Sequence, residues 1–384
     1  MPLPVLSLML VVFGLTTGEF VIAGILPEVA GDLTVSIPAA GLLVTAYAVG
    51  MIIGGPVVTI ATARLPRRPL IFGLIGVSVA ANAASAAAPN YTVLLGTRFV
   101  AGLIVATFFA VAIATAVSTA PPGRQASTVA KIALGLNLGI ILGTPAGTLI
   151  GQHFGWRATF AAVAALTVVA WALVAWSVPA GPPIATGPIR GELRVFAQRD
   201  VQLAIALTVL GNVGVVTVFT FITPLLTEVS GFTAASVPVL LLVYGAGAVA
   251  GNHLGGRLAD RALMPALTWL LVALTATLGL FWLLAGDQVA AVVLTFATGA
   301  LAFGIVPGMQ TRVMTAAGDA PTLALAVNAS GYQLAAAAAA WFGGVVIDDG
   351  PGLRALYPVA AVLTLTGLVV AAVSRRRDRR PVGV

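Results

Sequence analysis

Residues 5–27 read VLSLMLVVFGLTTGEFVIAGILP, an apolar stretch in which Glu19 is the single charged residue. A helix of this length rises about 1.5 Å per residue and spans roughly 30 Å, the thickness of the hydrocarbon core of a bilayer. The whole chain has the same character, because 59% of its 384 residues are hydrophobic and only 8% are charged. A soluble domain carries about 25% charged residues, so this composition excludes a water-soluble globule.

Eleven further apolar stretches follow the first along the chain. Their runs of ~20 apolar residues lack the alternating polarity of barrel strands, and helices satisfy every backbone group in hydrocarbon. The sequence therefore predicts an all-α membrane protein with twelve transmembrane helices. The predicted spans 1 to 12 are residues 5–27, 37–61, 69–88, 92–117, 128–151, 158–178, 201–226, 236–256, 265–285, 289–312, 322–346 and 355–373.

The basic residues predict the orientation of these spans. Cytoplasmic loops carry an excess of lysine and arginine. One set of loops and the C-terminal tail hold 16 of the 19 basic residues, the opposite set holds Arg157 and Arg354, and Arg98 lies inside span 4. Both termini are therefore predicted to be cytoplasmic, with Glu28 and Asp32 in the first external loop. The basic set is Arg64, Arg67, Arg68, Arg124, Lys131, Arg190, Arg194, Arg199, Arg257, Arg261, Arg312, Arg375, Arg376, Arg377, Arg379 and Arg380.

The chain also repeats itself at an offset of 197 residues. Parallel halves of six helices are a known transporter plan, and the repeat predicts two pseudo-symmetric six-helix bundles. The predicted divisions are an N-terminal bundle over 1–178, a cytoplasmic linker over 179–200, and a C-terminal bundle with a basic tail over 201–384. The matching positions are Gly14 and Gly211, Pro27 and Pro224, Tyr47 and Tyr244, Gly50 and Gly247, Gly54 and Gly251, Arg64 and Arg261, and Gly102 and Gly299.

Several short motifs lie on these spans and loops. Residues 256–261, GRLADR, follow span 8 and resemble the loop signature of the major facilitator superfamily. Residues 98–102, RFVAG, in span 4 are similar to the R-x-x-x-G pattern of its proton-coupled drug exporters. Residues 139–151 in span 5 are similar to its glycine-proline antiporter signature, and residues 18–28, GEFVIAGILPE, resemble the start of twelve-span drug:proton antiporters. Within that branch the chain looks closest to chloramphenicol-resistance and arabinose-efflux-like permeases.

The resemblance implies the major facilitator fold and a set of residues that govern conformational change. In the loop after span 2 the chain departs from the family pattern, with Ala63 where the family carries aspartate and Pro66 where it carries glycine. A latch made by that loop is therefore in question. Asp260 is expected either to latch one conformer or to be a solvated charge. The implied conformational residues are Arg64, Arg67, Arg68, Gly139, Gly143, Pro145, Gly147, Gly151, Gly256, Asp260 and Arg261.

Glu19 and Arg98 are the two ionisable residues well inside spans. Ionisable groups in hydrocarbon are costly and are functional candidates by default. Counting about 1.5 Å per residue from the outer ends of spans 1 and 4 puts both at a similar depth. We predict that they couple proton binding to transport. A glutamate held by a static hydrogen bond, or a fixed structural pair, is the alternative.

The glycines of span 5 recur every four residues and form one stripe along a helix. Such stripes let helix backbones approach closely, and Pro145 permits a kink. The stripe is expected to act as a hinge and seal between the halves or as pure packing. Other polar residues in the spans are expected either to line a substrate cavity or to bridge helices. The cavity candidates are Thr16, Tyr47, Asn82, Asn137, Asn212, Asn328, Tyr332 and Gln333.

These features predict a monomeric, proton-coupled secondary transporter that exports a small amphipathic compound by alternating access. Its expected location is the cytoplasmic membrane of a bacterium. Its expected partners are the substrate, protons and lipid, with no nucleic acid, no metal and no cofactor. Efflux of sugars or other metabolites is the alternative, and a transport-dead receptor or a membrane enzyme is a remote one.

Overall fold

A computed structural model of the chain describes residues 2–121, 124–179, 198–317 and 321–378. Within this part of the chain the secondary structure is helical, and eleven helical stretches are long and apolar enough to cross a membrane. The predicted linker arginines Arg190 and Arg194 and the tail arginines Arg379 and Arg380 lie outside the described residues.

One helical stretch, Ala234–Leu284, is 51 residues long. At about 1.5 Å per residue it would extend roughly 75 Å, more than two bilayer cores. Its backbone leaves the helical conformation at Ala262, with φ −160° and ψ 85°, three residues before Pro265. The stretch is therefore two crossings, and the described residues contain the twelve predicted transmembrane helices. These are α1 Leu3–Asp32, α2 Ile37–Thr62, α3 Arg67–Ala86, α4 Tyr91–Ser118, α5 Ser127–Phe154, α6 Trp156–Ser177, α7 Arg199–Thr220, α8 (237–261), α9 (263–284), α10 Gln288–Ala317, α11 Pro321–Asp348 and α12 Leu356–Asp378.

The chain divides into two compact units, Met1–Gly187 and Pro188–Val384. In unit 1, α1 packs against α5 and α6, and α2 packs against α4. In unit 2, α7 packs against α11 and α12, and the Val237–Leu284 stretch that contains α8 packs against α10. The second unit thus repeats the helix neighbours of the first.

Equivalent glycines bring equivalent helices together in the two units. At each of them a Cβ atom would collide with backbone atoms of the facing helix, which cannot move aside as a side chain can. The same shift of 197 residues that relates the glycines also relates their partners. The repeated contacts are Gly50 on Phe99 and Gly247 on Phe296, Gly54 on Leu103 and Gly251 on Ala300, and Gly102 on Tyr47 and Gly299 on Tyr244.

The first helix of each unit bends near an equivalent proline. In α1 the backbone is non-helical at Ile25, two residues before Pro27. In unit 2, α7 ends at Thr220, and Phe221, three residues before Pro224, has a non-helical φ of −104° and ψ of 23°. Proline lacks an N–H and its ring clashes with the carbonyl four residues earlier, so the bend follows from the sequence.

Helix α5 contains a wider turn just before its proline. Residues Gly139–Gly143 form a π-helical segment, and the α-helix resumes at Thr144–Phe154 with Pro145 in its first turn. Pro145 leaves one carbonyl of the preceding turn without its usual donor, and a local change of hydrogen-bond spacing accommodates that loss.

Helices continue past several of the predicted span ends. Glu28 and Asp32, assigned to the first external loop, lie on the last turns of α1. Arg312, assigned to a cytoplasmic loop, lies on α10 with only 9% of its surface exposed. Hydropathy reports where the apolar core of a span ends, whereas a helix continues for as long as its backbone hydrogen bonds do.

Candidate functional site

Among the described residues of unit 1, the most deeply enclosed charge is the guanidinium of Arg98, which is 0% exposed. It lies 4.4 Å from the ring centre of Tyr47 and 5.5 Å from that of Phe160. Its Nε and Nη1 atoms are buried and have no hydrogen-bond partner among the described residues. The cation is thus held mainly by two aromatic faces, which attract cations through their quadrupoles.

Glu19 lies beside this cation. Nη2 of Arg98 donates to the backbone carbonyl of Glu19 at 3.4 Å, and the two side-chain charges attract each other. The two residues that the sequence predicts at a common depth are thus in contact. The Glu19 side chain is half-buried rather than enclosed. An ionised carboxylate at this position attracts the Arg98 cation, whereas a neutral carboxyl group carries no such charge.

Asn82 adds an amide to the same region. Its Nδ2 donates to the Ser78 carbonyl at 2.9 Å, and its buried Oδ1 has no partner in the described part of the chain. Any Cβ on Gly18, the residue before Glu19, would lie 3.4 Å from that oxygen. Unit 1 therefore holds buried donors on Arg98 and a buried acceptor on Asn82 that no described residue engages.

The two equivalent positions of unit 2 carry no charge. At the positions 197 residues beyond Glu19 and Arg98 the chain has Val216 and Thr295, both buried. The Thr295 hydroxyl donates to a carbonyl of its own helix. Tyr244, equivalent to Tyr47, lies 4.9 Å from the ring of Phe219. Both units therefore have the tyrosine, but only unit 1 has charged residues at these two positions.

Comparison with known proteins assigns the family. The model of the Major Facilitator Superfamily matches residues 8–321. This chain belongs to that superfamily. It is 35% identical over 381 residues to the inner membrane transport protein YdhP of Escherichia coli (strain K12), covering 99% of the chain and 98% of the relative.

Two further relatives carry descriptive names. The chain is 35% identical over 379 residues to a chloramphenicol resistance protein of Streptomyces lividans, covering 97% of the chain and 96% of the relative. It is 28% identical over 358 residues to a probable sugar efflux transporter of Mannheimia succiniciproducens, covering 93% and 90%.

The fold agrees with a solved transporter structure. A bacterial homologue of the human lysosomal transporter Spinster, in an inward-facing and unoccupied conformation, superposes with a TM-score of 0.80 at 16% identity, covering 99% of this chain and 98% of that one. The protein is thus a multi-pass membrane transporter of bacterial origin that acts on a small molecule, and its family and fold are those of transporters rather than enzymes.

The superfamily's span 5 stripe faces α1 of the same unit. Gly139 is packed on the side chain of Thr16, and Gly143 on that of Thr17. Further along, a Cβ on Gly147 would lie 2.5 Å from Val21 and one on Gly151 would lie 2.6 Å from Ile25. The stripe is therefore the groove that receives the helix carrying Glu19. Thr16 is 1% exposed and serves this packing.

Two of the cavity candidates bridge helices in unit 2. The Thr208 hydroxyl on α7 donates to Oδ1 of Asn328 on α11 at 2.5 Å. The amide of Asn212 donates to the Thr208 carbonyl at 2.7 Å and to the sulfur of Met309 on α10 at 3.3 Å. All four side chains are buried, and these bonds connect α7 with α11 and with α10.

The remaining predicted residues have mixed surroundings. Asn137 and Tyr332 are half-buried, and Gln333 is 7% exposed. A Cβ atom added to Gly256 would lie 4.0 Å from the Cβ of Pro307, an ordinary van der Waals distance. Asp260 and Arg261 are exposed at the end of α8, as is Arg64 in the loop after α2.

Sequence reasoning missed Phe160, which supplies the second aromatic face over Arg98. The available signal was its equivalent at the 197-residue offset, Tyr357, which is also buried and aromatic. It also missed a cluster in which Asp32 accepts from both Arg157 and the indole of Trp156. Those residues were predicted to lie on one side of the membrane, but no local pattern pairs them.

Proposed function

We propose that this superfamily member exports a small amphipathic compound in exchange for protons, by alternating access. The proposed substrates are neutral or weakly cationic drug-like molecules of the chloramphenicol kind. The name of the Streptomyces lividans relative, at 35% identity, supports this substrate class.

The observation that carries the proposal is the Glu19–Arg98 pair in unit 1. A carboxyl group at this depth is expensive unless it has a role, since a glutamine could make similar hydrogen bonds without the cost of ionisation. Arg98, a buried cation, donates to the backbone carbonyl of Glu19 and is attracted by the charge of its carboxylate, which gives proton binding an effect on the surrounding polar groups. Because the pair is absent from unit 2, we assign the proton to Glu19.

The experiment compares Glu19→Gln with wild type in vesicles that carry an imposed pH gradient. Wild type is expected to accumulate labelled chloramphenicol against its gradient, and Glu19→Gln is expected to lose this accumulation while keeping downhill exchange. In weakly buffered solution, chloramphenicol should release protons from purified wild type and none from Glu19→Gln.

Glu228→Gln is the matched control, because Glu228 is exposed and undergoes the same chemical change. It should accumulate the compound as wild type does. Accumulation by Glu19→Gln at the wild-type rate would show that another group carries the proton. If wild type moves chloramphenicol only downhill, the proposed coupling itself is wrong.

Sugar efflux is the second candidate, favoured by the relative named a probable sugar efflux transporter at 28% identity. A sugar needs many hydrogen-bonding partners. In unit 2, however, the amides of Asn212 and Asn328 are engaged with neighbouring helices, which supports the amphipathic substrate instead. Proton release on adding arabinose or lactose, with none on adding chloramphenicol, would reverse this order.

A further inference from the structure

We propose that unit 1 binds the phosphate headgroup of an anionic phospholipid at a surface formed by Arg67, Arg68 and Trp176, the basic-aromatic surface. It lies where the first turn of α3 meets the ends of α4 and α6. These residues belong to the end of the unit that the sequence predicts to be cytoplasmic.

The two arginines first hold neighbouring helices. Nη1 of Arg67 donates to the hydroxyl of Ser118 at the end of α4, at 2.5 Å. Nη2 of Arg68 donates to the carbonyl of Ala175 in the last turn of α6, at 2.7 Å, where helix carbonyls lack partners of their own. Each bond uses one nitrogen of a guanidinium that has five N–H donors.

The positive charge of these arginines is not neutralised within the described residues. Neither Arg67 nor Arg68 forms a salt bridge there, in contrast to Arg157, which pairs with Asp32 on α1. The Nε atom of each is buried and lacks a hydrogen-bond partner. Ala63 stands where the superfamily carries an aspartate, and the first turn of α3 contains no acidic residue. Two half-buried cations without a counter-ion attract an anion from outside the protein.

Aromatic side chains mark the lipid side of this surface. Trp176, directly after Ala175, is 89% exposed, and tryptophan is enriched where the bilayer meets water. Arg68 lies 5.4 Å above the ring of Phe72, which in turn contacts Trp171 on α6. Basic pockets between transmembrane helices bind anionic headgroups. The phosphate of a phospholipid meets the arginines while its chains lie along the exposed apolar side chains of α6.

The test measures the thermal midpoint of the purified full chain in detergent with added lipid. Phosphatidylglycerol should raise the midpoint of wild type in a concentration-dependent way, as a ligand of the folded state does. Phosphatidylcholine and glycerol 3-phosphate at equal concentration should raise it much less. The Arg67→Gln/Arg68→Gln variant should need about tenfold more phosphatidylglycerol for the same rise, a loss of roughly 1.4 kcal/mol of binding.

Arg257→Gln/Arg261→Gln is the matched control, since it removes two exposed arginine charges from the last turns of α8 in unit 2. It should respond to phosphatidylglycerol as wild type does. Because the readout is the lipid-dependent rise, a lower starting midpoint in the first variant does not affect it. An unchanged response of Arg67→Gln/Arg68→Gln would overturn the proposal, and so would an equal rise with glycerol 3-phosphate, which would identify a free anion as the ligand.

Discussion

The Arg98 side chain lies against two aromatic rings in an environment without solvent exposure. Removing a charge from water costs several kcal/mol even after the protein relaxes. A desolvated cation–π contact returns about 2 kcal/mol or more. The rings of Tyr47 and Phe160, together with the nearby Glu19 charge, are therefore what allow an arginine at this depth.

This account predicts a difference between two substitutions of Tyr47. Tyr47→Phe keeps the ring and loses only a 3.4 Å hydrogen bond to the Leu15 carbonyl, so it should retain most stability and export. Tyr47→Leu removes the aromatic face and should lower the free energy of unfolding by about 2 kcal/mol or more. Chemical unfolding of both purified variants measures the difference. Equal destabilisation by both would show that the hydroxyl, and not the ring, supports Arg98.

In unit 1, glycines on α2 contact the backbone of α4, and in unit 2, glycines on α8 contact the backbone of α10. Without a hydrophobic driving force between helices in lipid, close backbone approach supplies much of the packing energy. The groove of α5 glycines uses the same principle against α1, with threonine, valine and isoleucine side chains seated on it. Small residues thus decide which helix faces become interfaces.

The repeat predicts that equivalent glycine substitutions have equivalent effects. Gly54→Ala places a methyl group against the Leu103 carbonyl, and Gly251→Ala places one against the Ala300 carbonyl. Each should lower the free energy of unfolding by about 1–3 kcal/mol, because the facing backbone must move.

Gly96→Ala on α4 is the matched control, because a Cβ there meets no atom within 4 Å. Alanine is a better helix former than glycine, so this variant should be as stable as wild type or more so. The measurement is the unfolding free energy of the three purified variants. Destabilisation by Gly54→Ala but not by Gly251→Ala would show that the two equivalent helix contacts, one within each unit, are not equally tight.

At the scale of the whole molecule, the basic residues lie overwhelmingly on one predicted side, sixteen against two. Such a bias sets the orientation of a polytopic protein during insertion. The described structure supplies twelve crossings, and an even number places both termini on one side.

We therefore predict that both termini are cytoplasmic. A C-terminal fusion to a phosphatase that is active only outside the cytoplasm should be silent in cells. The same reporter inserted after Asp349, between α11 and α12, should be active. The opposite pattern would reverse the orientation of the chain while leaving its helices unchanged.

The number of crossings, the 197-residue repeat and the family follow from the sequence without the structure, and so does the expectation that Glu19 and Arg98 lie at a common depth. Each of these depends on a property that is read directly along the chain. These properties are the mean polarity over about 20 residues, the offset between two similar stretches, and the count of residues from the end of a span. Helix ends were less certain, because hydropathy stops where the backbone hydrogen bonds of α1 and α10 continue.

The partners of the side chains follow from the packing of the helices in three dimensions. This packing brings Phe160 to Arg98, Asn328 to Thr208, and α1 to the glycine groove of α5. The rotation of a transmembrane helix about its own axis is set by its packing against neighbours, and these helices are apolar on nearly every face. A polar residue in such a helix therefore gains its partner from the arrangement of all the helices in its unit, which no single stretch of sequence specifies.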